Sequence, residues 1–175
     1  MTSRRHRRPP APLAAPARNQ PAAADIDVGD GGIALGDLSG NLGYRIRRAQ
    51  LWVFKDAGRR LAPFAVSPAQ FSVLAIIDAN PGINQLSIAA ALDIERAGLG
   101  RLIDRLEHHG MVTRTASGAH SRYYALRLTA AGSKLLRRVK PVIAESEKAL
   151  ADKLGSHAYQ SLLQNLSVFL HDPGD

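Results

Sequence analysis

The side chains with the clearest chemistry lie on one predicted helix, from Arg96 to His109. Its apolar residues recur at positions i, i+3, i+4 and i+7 and define a single face: Leu99, Leu102, Ile103 and Leu106. The opposite face carries five residues: Ala97, Arg101, Asp104, Arg105 and His108. Arg101 and Arg105 lie one helical turn apart, so both guanidinium groups can reach guanine edges or phosphates. The pattern predicts contact with nucleic acid; the alternative is an ordinary solvated face on which Asp104 offsets the arginines.

The first turns of this helix carry small side chains. Gly98 and Gly100 lie within it, and each glycine costs ~1 kcal/mol of helix stability relative to alanine. Close approach of the helix backbone to a duplex is one reason to keep such a surface. Arg96, at the start of the helix, fits a phosphate contact better than a base contact.

A shorter, alanine-rich helix is predicted before it, from Asn84 to Leu92, with a break at residues 93–95. Four of its residues are expected to face inward: Leu86, Ile88, Ala89 and Leu92. Gln85 and Ser87 lie near its start and are candidate phosphate contacts.

Two strands are predicted after Gly110, at residues 111–114 and 121–128. Their connection, residues 116–120, is rich in turn-forming residues, and the turn is expected near Gly118. Alternation places Tyr124, Leu126 and Leu128 on one face of the hairpin. A helix, a turn, a basic helix and a basic hairpin, in this order, predict a winged helix-turn-helix.

The remaining folded elements are expected to be helices, at about 41–61, 67–80, 130–154 and 157–171. The second begins with a capping box, in which Ser67 is the N-cap, Pro68 the first helical residue and Gln70 the reciprocal partner. Thr129 is expected to cap the helix that starts at Ala130. The predicted class is mainly α with a small β-hairpin wing (α+β).

Residues 1 to about 40 are expected to form a tail without a packed fold. They hold five of the ten prolines and have little apolar surface to offset the entropy of ordering. Four arginines give the tail a basic tip: Arg4, Arg5, Arg7 and Arg8. This segment is either a solvated tail, or the product of an early start codon, or a basic arm that adds non-specific phosphate contacts.

Composition excludes several classes of function. The net charge of +8 indicates a polyanionic partner, with nucleic acid favoured over an anionic membrane surface. There is no cysteine and no apolar run of ~18 residues, so a cytoplasmic protein that does not enter a membrane is expected. No glycine-rich phosphate loop, triad motif or catalytic carboxylate pair is found, so neither an enzyme nor a cofactor is predicted. His108 and His109 diverge by ~100° on a helix, which argues against a metal site.

Two motifs identify a family resemblance that runs from about Leu42 to Leu170. Residues 105–114, RLEHHGMVTR, and residues 128–132, LTAAG, resemble the "R-L-E-x-x-G-L-V-x-R" and "L-T-x-x-G" motifs of the MarR family of bacterial transcriptional regulators. The resemblance implies a homodimer that interlocks through helices at about 41–62 and 130–171, within a MarR-like domain spanning 41–175. It implies a winged helix at about 67–129 that places its recognition helix in the major groove of a pseudo-palindromic DNA operator.

The wing departs from the family pattern. The family commonly has Asp-Arg-Arg or Asp-Lys-Arg where this chain has His120, Ser121 and Arg122. The resemblance implies that Arg122 enters the minor groove, beside Ser121 and a histidine that replaces the orienting acid. Protonation of His120 would then modulate affinity for phosphates.

The resemblance also implies a small anionic or phenolic ligand between the dimerisation and DNA-binding lobes. Tyr44, Arg48 and Trp52 lie at i, i+4 and i+8 on the first helix. Either the aromatic rings pack at a dimer interface, or Arg48 meets a ligand carboxylate or phosphate while an aromatic ring stacks on the ligand. The stretch 43–50 is similar to regulators of aromatic-acid breakdown, some of which sense aromatic acyl-CoA thioesters.

The sequence therefore predicts a homodimeric, ligand-responsive repressor of a catabolic or efflux operon. The alternative hypothesis keeps the fold but makes the chain a constitutive, weakly specific DNA-binding protein of the nucleoid type. The arginine-rich tail and the small side chains of the recognition face favour this alternative.

Overall fold

The computed structural model describes residues 28–29, 33–116 and 124–170. The chain divides into two compact units, with the boundary after Ile46. In the first unit, strand β1 (Val28–Gly29) pairs antiparallel with β2 (Ile33–Ala34), and a 3-10 helix follows at Gly36–Gly40. These short elements lie in the segment for which the sequence predicted no packed fold. The 3-10 helix contains local backbone hydrogen bonds, such as Leu38 N–H to the Leu35 carbonyl oxygen at 3.2 Å.

The second unit confirms the predicted order of helices and strands. It contains most of α1 (Leu42–Leu61), then α2 (Pro68–Ala79), α3 (Gln85–Leu92), α4 (Arg96–His108), β3 (Val112–Ala116), β4 (Tyr124–Leu128), α5 (Ala130–Leu154) and α6 (Ser156–Leu166). Short 3-10 helices follow α1, at Ala62–Phe64, and α6, at Ser167–Phe169. The last α-helix is thus shorter than the predicted one, since its C-terminal end tightens into a 3-10 turn.

The predicted helix starts are present. Ser67 and Gln70 form the reciprocal capping box of α2, with Gln70 N–H donating to Ser67 Oγ at 3.2 Å and Ser67 N–H to Gln70 Oε1 at 2.8 Å. Asn84 Oδ1 accepts from the Ser87 N–H at 2.9 Å and caps α3. The turn between α3 and α4 passes through Asp93, whose φ of 47° is left-handed.

The core lies between α2, α3, α4, α5 and the hairpin. Its fully buried side chains include Leu74, Ile88, Leu99, Ile103, Leu126 and Leu136. The predicted apolar face of α4 is buried as expected. The prediction that Leu86 faces inward was wrong, because its side chain is 38% exposed. It lies two residues before the fully buried Ile88, which points away from it on so short a helix.

The hairpin is attached to the helical core by a third segment that sequence reasoning missed. β3 and β4 pair antiparallel, with Val112 opposite Leu128 and Arg114 opposite Leu126. Ile83, just before α3, forms an isolated bridge to Leu126, whose N–H donates to the Ile83 carbonyl at 2.9 Å. This bridge therefore joins β4 to the segment just before α3.

The L-T-x-x-G motif joins α5 to the turn after α4. Thr129 Oγ1 accepts from the Gly132 N–H at 3.0 Å, which caps α5, and it donates to the Gly110 carbonyl oxygen at 2.6 Å. A Cβ added to Gly132 would overlap the Met111 carbonyl oxygen. Only glycine lets α5 approach the backbone at Met111 this closely.

A buried carboxylate joins α1 to α5. Asp56 accepts from Arg59 Nη2 at 2.8 Å, Arg60 Nε at 2.6 Å and, across the helix pair, Ser146 Oγ at 3.0 Å. The hydrogen bonds from Arg59 and Arg60 outweigh desolvation and, with that from Ser146, lower the pKa of Asp56 to about 2.

In the described part of the chain, no single helix is long and apolar enough to cross a membrane. One pair, Leu42–Phe64 with Pro68–Ala79, reaches that length and apolarity jointly, but it is bent by 76°.

Replacing Gly132 with alanine is expected to destabilise the protein by about 3 kcal/mol or more, because backbone must move to admit the methyl group. Thermal unfolding of the variant measures this loss. The matched control is Gly98→Ala in α4, since a Cβ there meets no described atom within 4 Å. That control should melt at the same temperature as the wild type or higher; equal destabilisation of the two variants would contradict the packing argument.

Replacing Asp56 with asparagine is expected to destabilise the protein at neutral pH and much less in acid. The folded-state pKa of about 2 lies below the usual 3.8, so the carboxylate stabilises the fold fully above about pH 4 and loses that effect as pH falls through 2. Melting temperatures measured from pH 7 to pH 2 should show the difference from wild type shrinking below pH 4. Asp78→Asn is the control, because Asp78 is exposed and pairs only with Lys140 in the described hydrogen bonds.

Candidate nucleic-acid interface

The solvent face of α4 carries the residues that the sequence predicted. Leu99 and Ile103 are fully buried, while the five residues of the opposite face are exposed: Ala97, Arg101, Asp104, Arg105 and His108. The helix is oriented by its apolar side, which leaves the two arginines on the surface one turn apart. The arrangement suits insertion of one helix face into a groove of a polyanion.

The first turn of α4 is open to an anion. Arg96 is exposed, and the side chain of Glu95, the preceding residue, does not cap the helix. The first N–H groups of a helix have no intrahelical acceptor, and they carry the positive end of the helix dipole. A phosphate contact by the backbone N–H groups of residues 96–98 and by Arg96 stays a prediction.

The start of α3 packs against the start of α4. Gln85 Nε2 donates to the Arg96 carbonyl oxygen at 3.2 Å, and a Cβ on Gly100 would lie 3.2 Å from the same nitrogen. A side chain at position 100 would therefore crowd Gln85, which is one reason for a glycine there. A Cβ on Gly98 would meet no described atom within 4 Å, so protein packing does not explain that glycine.

The two candidate phosphate contacts of α3 differ in availability. Gln85 is half-buried and holds the two helices together, which leaves one amide hydrogen for another partner. Ser87 is exposed, and its hydroxyl donates to Asn84 Oδ1 at 3.2 Å. The structure brings Gln85 next to the N-terminal turn of α4, and a phosphate contact by either residue stays a prediction.

Arg114 is a residue of this surface to which sequence reasoning assigned no role. From β3, its Nη2 donates to Asp104 Oδ1 at 2.6 Å and its Nη1 to Glu107 Oε2 at 2.9 Å. The forked guanidinium ties the hairpin root to the exposed side of α4. In the sequence, only the spacing of the two acids, three residues apart on one helix, hinted that a single side chain could reach both.

The predicted wing-tip contacts, His120, Ser121 and Arg122, fall within residues 117–123, which lie outside the described residues. Their roles stay predictions.

The predicted ligand residues lie along α1. Tyr44 is half-buried near the start of the helix, and Arg48 and Trp52 are exposed on the turns that follow. Lys153 Nζ, from the end of α5, lies 5.1 Å from the centroid of the Trp52 ring, within reach of a cation–π interaction. This part of the second unit therefore places an aromatic face next to a basic group.

The helices, the hairpin and the exposed basic helix together define a winged helix-turn-helix protein. The sequence profile described as the MarR family matches residues 66–119. The chain belongs to the MarR family of transcriptional regulators, and it shares the family's DNA-binding winged helix.

Individual relatives support this membership. The structure of a transcriptional repressor, CouR, bound to a 23-mer DNA duplex is 41% identical with a TM-score of 0.75, over 79% of this chain and 99% of that one. CouR bound to p-coumaroyl-CoA is 40% identical with a TM-score of 0.74, over 80% and 99% of the two chains. A proposed transcriptional regulatory protein for the hcr operon of Thauera aromatica is 28% identical over 138 residues, which are 78% of this chain and 81% of the relative. These relatives are transcriptional regulators.

Gly98→Ala is expected to weaken DNA binding although it does not weaken the fold. A methyl group on this open surface would keep the helix backbone from the duplex, and a loss of about tenfold is expected from one displaced contact of about 1.4 kcal/mol. Fluorescence anisotropy with a duplex enriched by the wild type from a randomised pool measures it, with the melting temperature as control. Unchanged affinity would mean that the backbone does not approach DNA here.

Proposed function

We propose that this protein is a ligand-responsive repressor that binds a pseudo-palindromic operator as a homodimer and is released by an aromatic acid or its CoA thioester. The observation that carries the proposal is the likeness, at about two residues in five over nearly all of the neighbour's chain, to a repressor bound to DNA. The second CouR structure, with its bound p-coumaroyl-CoA, supports the class of effector.

In the proposed complex, α4 enters the major groove and its arginines read the sequence. Arg101 and Arg105 reach guanine edges, while Arg96 and the N–H groups of Ala97 and Gly98 bind a phosphate. The small residues Gly98 and Gly100 admit the backbone, and Gln85 and Ser87 bind the neighbouring phosphate. Arg122 enters the minor groove with His120 and Ser121 beside it.

The homodimer is supported by apolar surface that the single chain leaves uncovered. Among the described residues, Phe54 on α1 and a group at the end of the chain are exposed: Leu154, Leu162, Leu163, Val168, Phe169 and Leu170. Groups of exposed large apolar side chains are typical of interaction surfaces, and this supports the proposal of a homodimer. We assign helices 41–62 and 130–171 to dimerisation and residues 67–129 to DNA binding.

The effector is proposed to contact α1 through an aromatic ring and a cation. Trp52 stacks on the aromatic acyl group, Arg48 pairs with the carboxylate or a phosphate, and Tyr44 lies on the same stripe of the helix. Binding would favour a dimer whose recognition helices no longer match the half-site spacing of about one helical turn. This release requires that the effector bind the two dimer geometries with different affinity.

Removal of the two recognition arginines tests the DNA-binding part of the proposal. Arg101→Ala and Arg105→Ala are each expected to reduce affinity for the enriched duplex about 10- to 100-fold, since a bidentate arginine–guanine pair contributes about 1–3 kcal/mol. Anisotropy at one fixed salt concentration measures the loss. The matched control is Arg137→Ala, an exposed arginine of α5 outside the winged helix. Equal losses in all three variants would indicate a general charge effect.

Two further measurements with the same duplex complete the test. A scrambled duplex should compete poorly with it. Equal competition would favour the alternative, a weakly specific nucleoid-type protein.

Addition of p-coumaroyl-CoA should release DNA from the wild type and raise the melting temperature of the protein, whereas free CoA should do neither. Trp52→Ala should need a higher concentration of p-coumaroyl-CoA for the same release. An unchanged response in Trp52→Ala would remove this residue from the effector site.

A further inference from the structure

We propose that Arg114 is a positioning residue for DNA binding: it neutralises the two carboxylates of α4 and holds the root of the wing against that helix, without touching DNA itself. The inference rests on the proposed DNA-binding function and adds to it a residue outside the recognition helix.

The Arg114 guanidinium forms ion pairs with two carboxylates at once. Its two terminal nitrogens bind different carboxylates, Asp104 at 2.6 Å and Glu107 at 2.9 Å. The Arg114 side chain is only 24% exposed, whereas the Asp104 side chain is 61% exposed. Both terminal nitrogens therefore bind acids of α4, and Asp104 is more exposed than the arginine that binds it.

Neutralisation matters because of where Asp104 lies. It follows Arg101 by three residues and directly precedes Arg105, on the exposed face of the helix. Together with Glu107, the formal charges of these four side chains cancel. Arg114 turns the balance positive, and without it a free carboxylate would face the phosphates of the groove.

The same contact fixes the hairpin relative to α4. Arg114 lies opposite Leu126, which is fully buried, so the two side chains share the inward face of the hairpin. From this face the long side chain of Arg114 extends to Asp104 and Glu107 on α4. Its guanidinium therefore links the wing and the recognition helix at the surface that would meet DNA.

A mutant cycle separates positioning from direct contact. Arg114→Met should weaken binding to the enriched duplex about tenfold. Adding Asp104→Asn should restore most of that affinity, because the unpaired acid is then gone, whereas in the wild type the same change should raise affinity much less, because that acid is already paired with Arg114. A direct phosphate contact predicts instead that Asp104→Asn has the same effect in both backgrounds and that Arg114→Met lowers the salt dependence by about one ion. That result would overturn the proposal.

Stability controls keep the outcome interpretable. Lys140→Met breaks a comparable exposed ion pair, Lys140–Asp78 at 2.8 Å between α5 and α2, and should leave DNA affinity unchanged. If Arg114→Met melts well below the wild type, Arg114→Lys takes its place; a lysine ammonium lacks the rigid fork, so intermediate affinity supports the proposal and full affinity contradicts it. A wild type that bound no duplex would reject the proposed function itself, and binding without rescue by Asp104→Asn would reject only this inference.

Discussion

The start of α5 is held against the turn that follows α4 by a contact that admits no side chain. Gly132 lies on the Met111 carbonyl, and Thr129 both caps α5 and binds the Gly110 carbonyl. The longest helix of the protein is thereby connected to the C-terminal end of the helix proposed to read DNA.

The exposed face of α4 combines two requirements that conflict. A helix that enters a groove needs positive charge and a small profile, but it must also remain soluble and correctly oriented as part of the free protein. The buried face with Leu99 and Ile103 provides orientation. Asp104 and Glu107 anchor the hairpin through Arg114, which offsets the negative charge that they bring to the surface. In this arrangement Arg114 both holds the hairpin against α4 and offsets the negative charge on the exposed face of that helix.

Much of the fold could be predicted from sequence because it depends on local patterns. The capping box at Ser67 and Gln70, the cap at Thr129 and the apolar spacing of α4 each involve residues within two helical turns. The error at Leu86 arose where the helix is only eight residues long, so periodicity could not define its buried face. The bridge between Ile83 and Leu126 was missed because a single pair of residues has no repeating pattern.

The sequence by itself determined the order of the helices and strands, the placement of Arg101 and Arg105 on one exposed helix face, and the family. Tertiary structure decided which distant groups meet. Asp56 and Ser146 are 90 residues apart, and Arg114 reaches Asp104 across ten residues and a change from helix to strand. Such pairs depend on how α1 lies on α5 and how the hairpin turns back on α4. Helical and strand periods describe one element at a time, so they cannot supply that geometry.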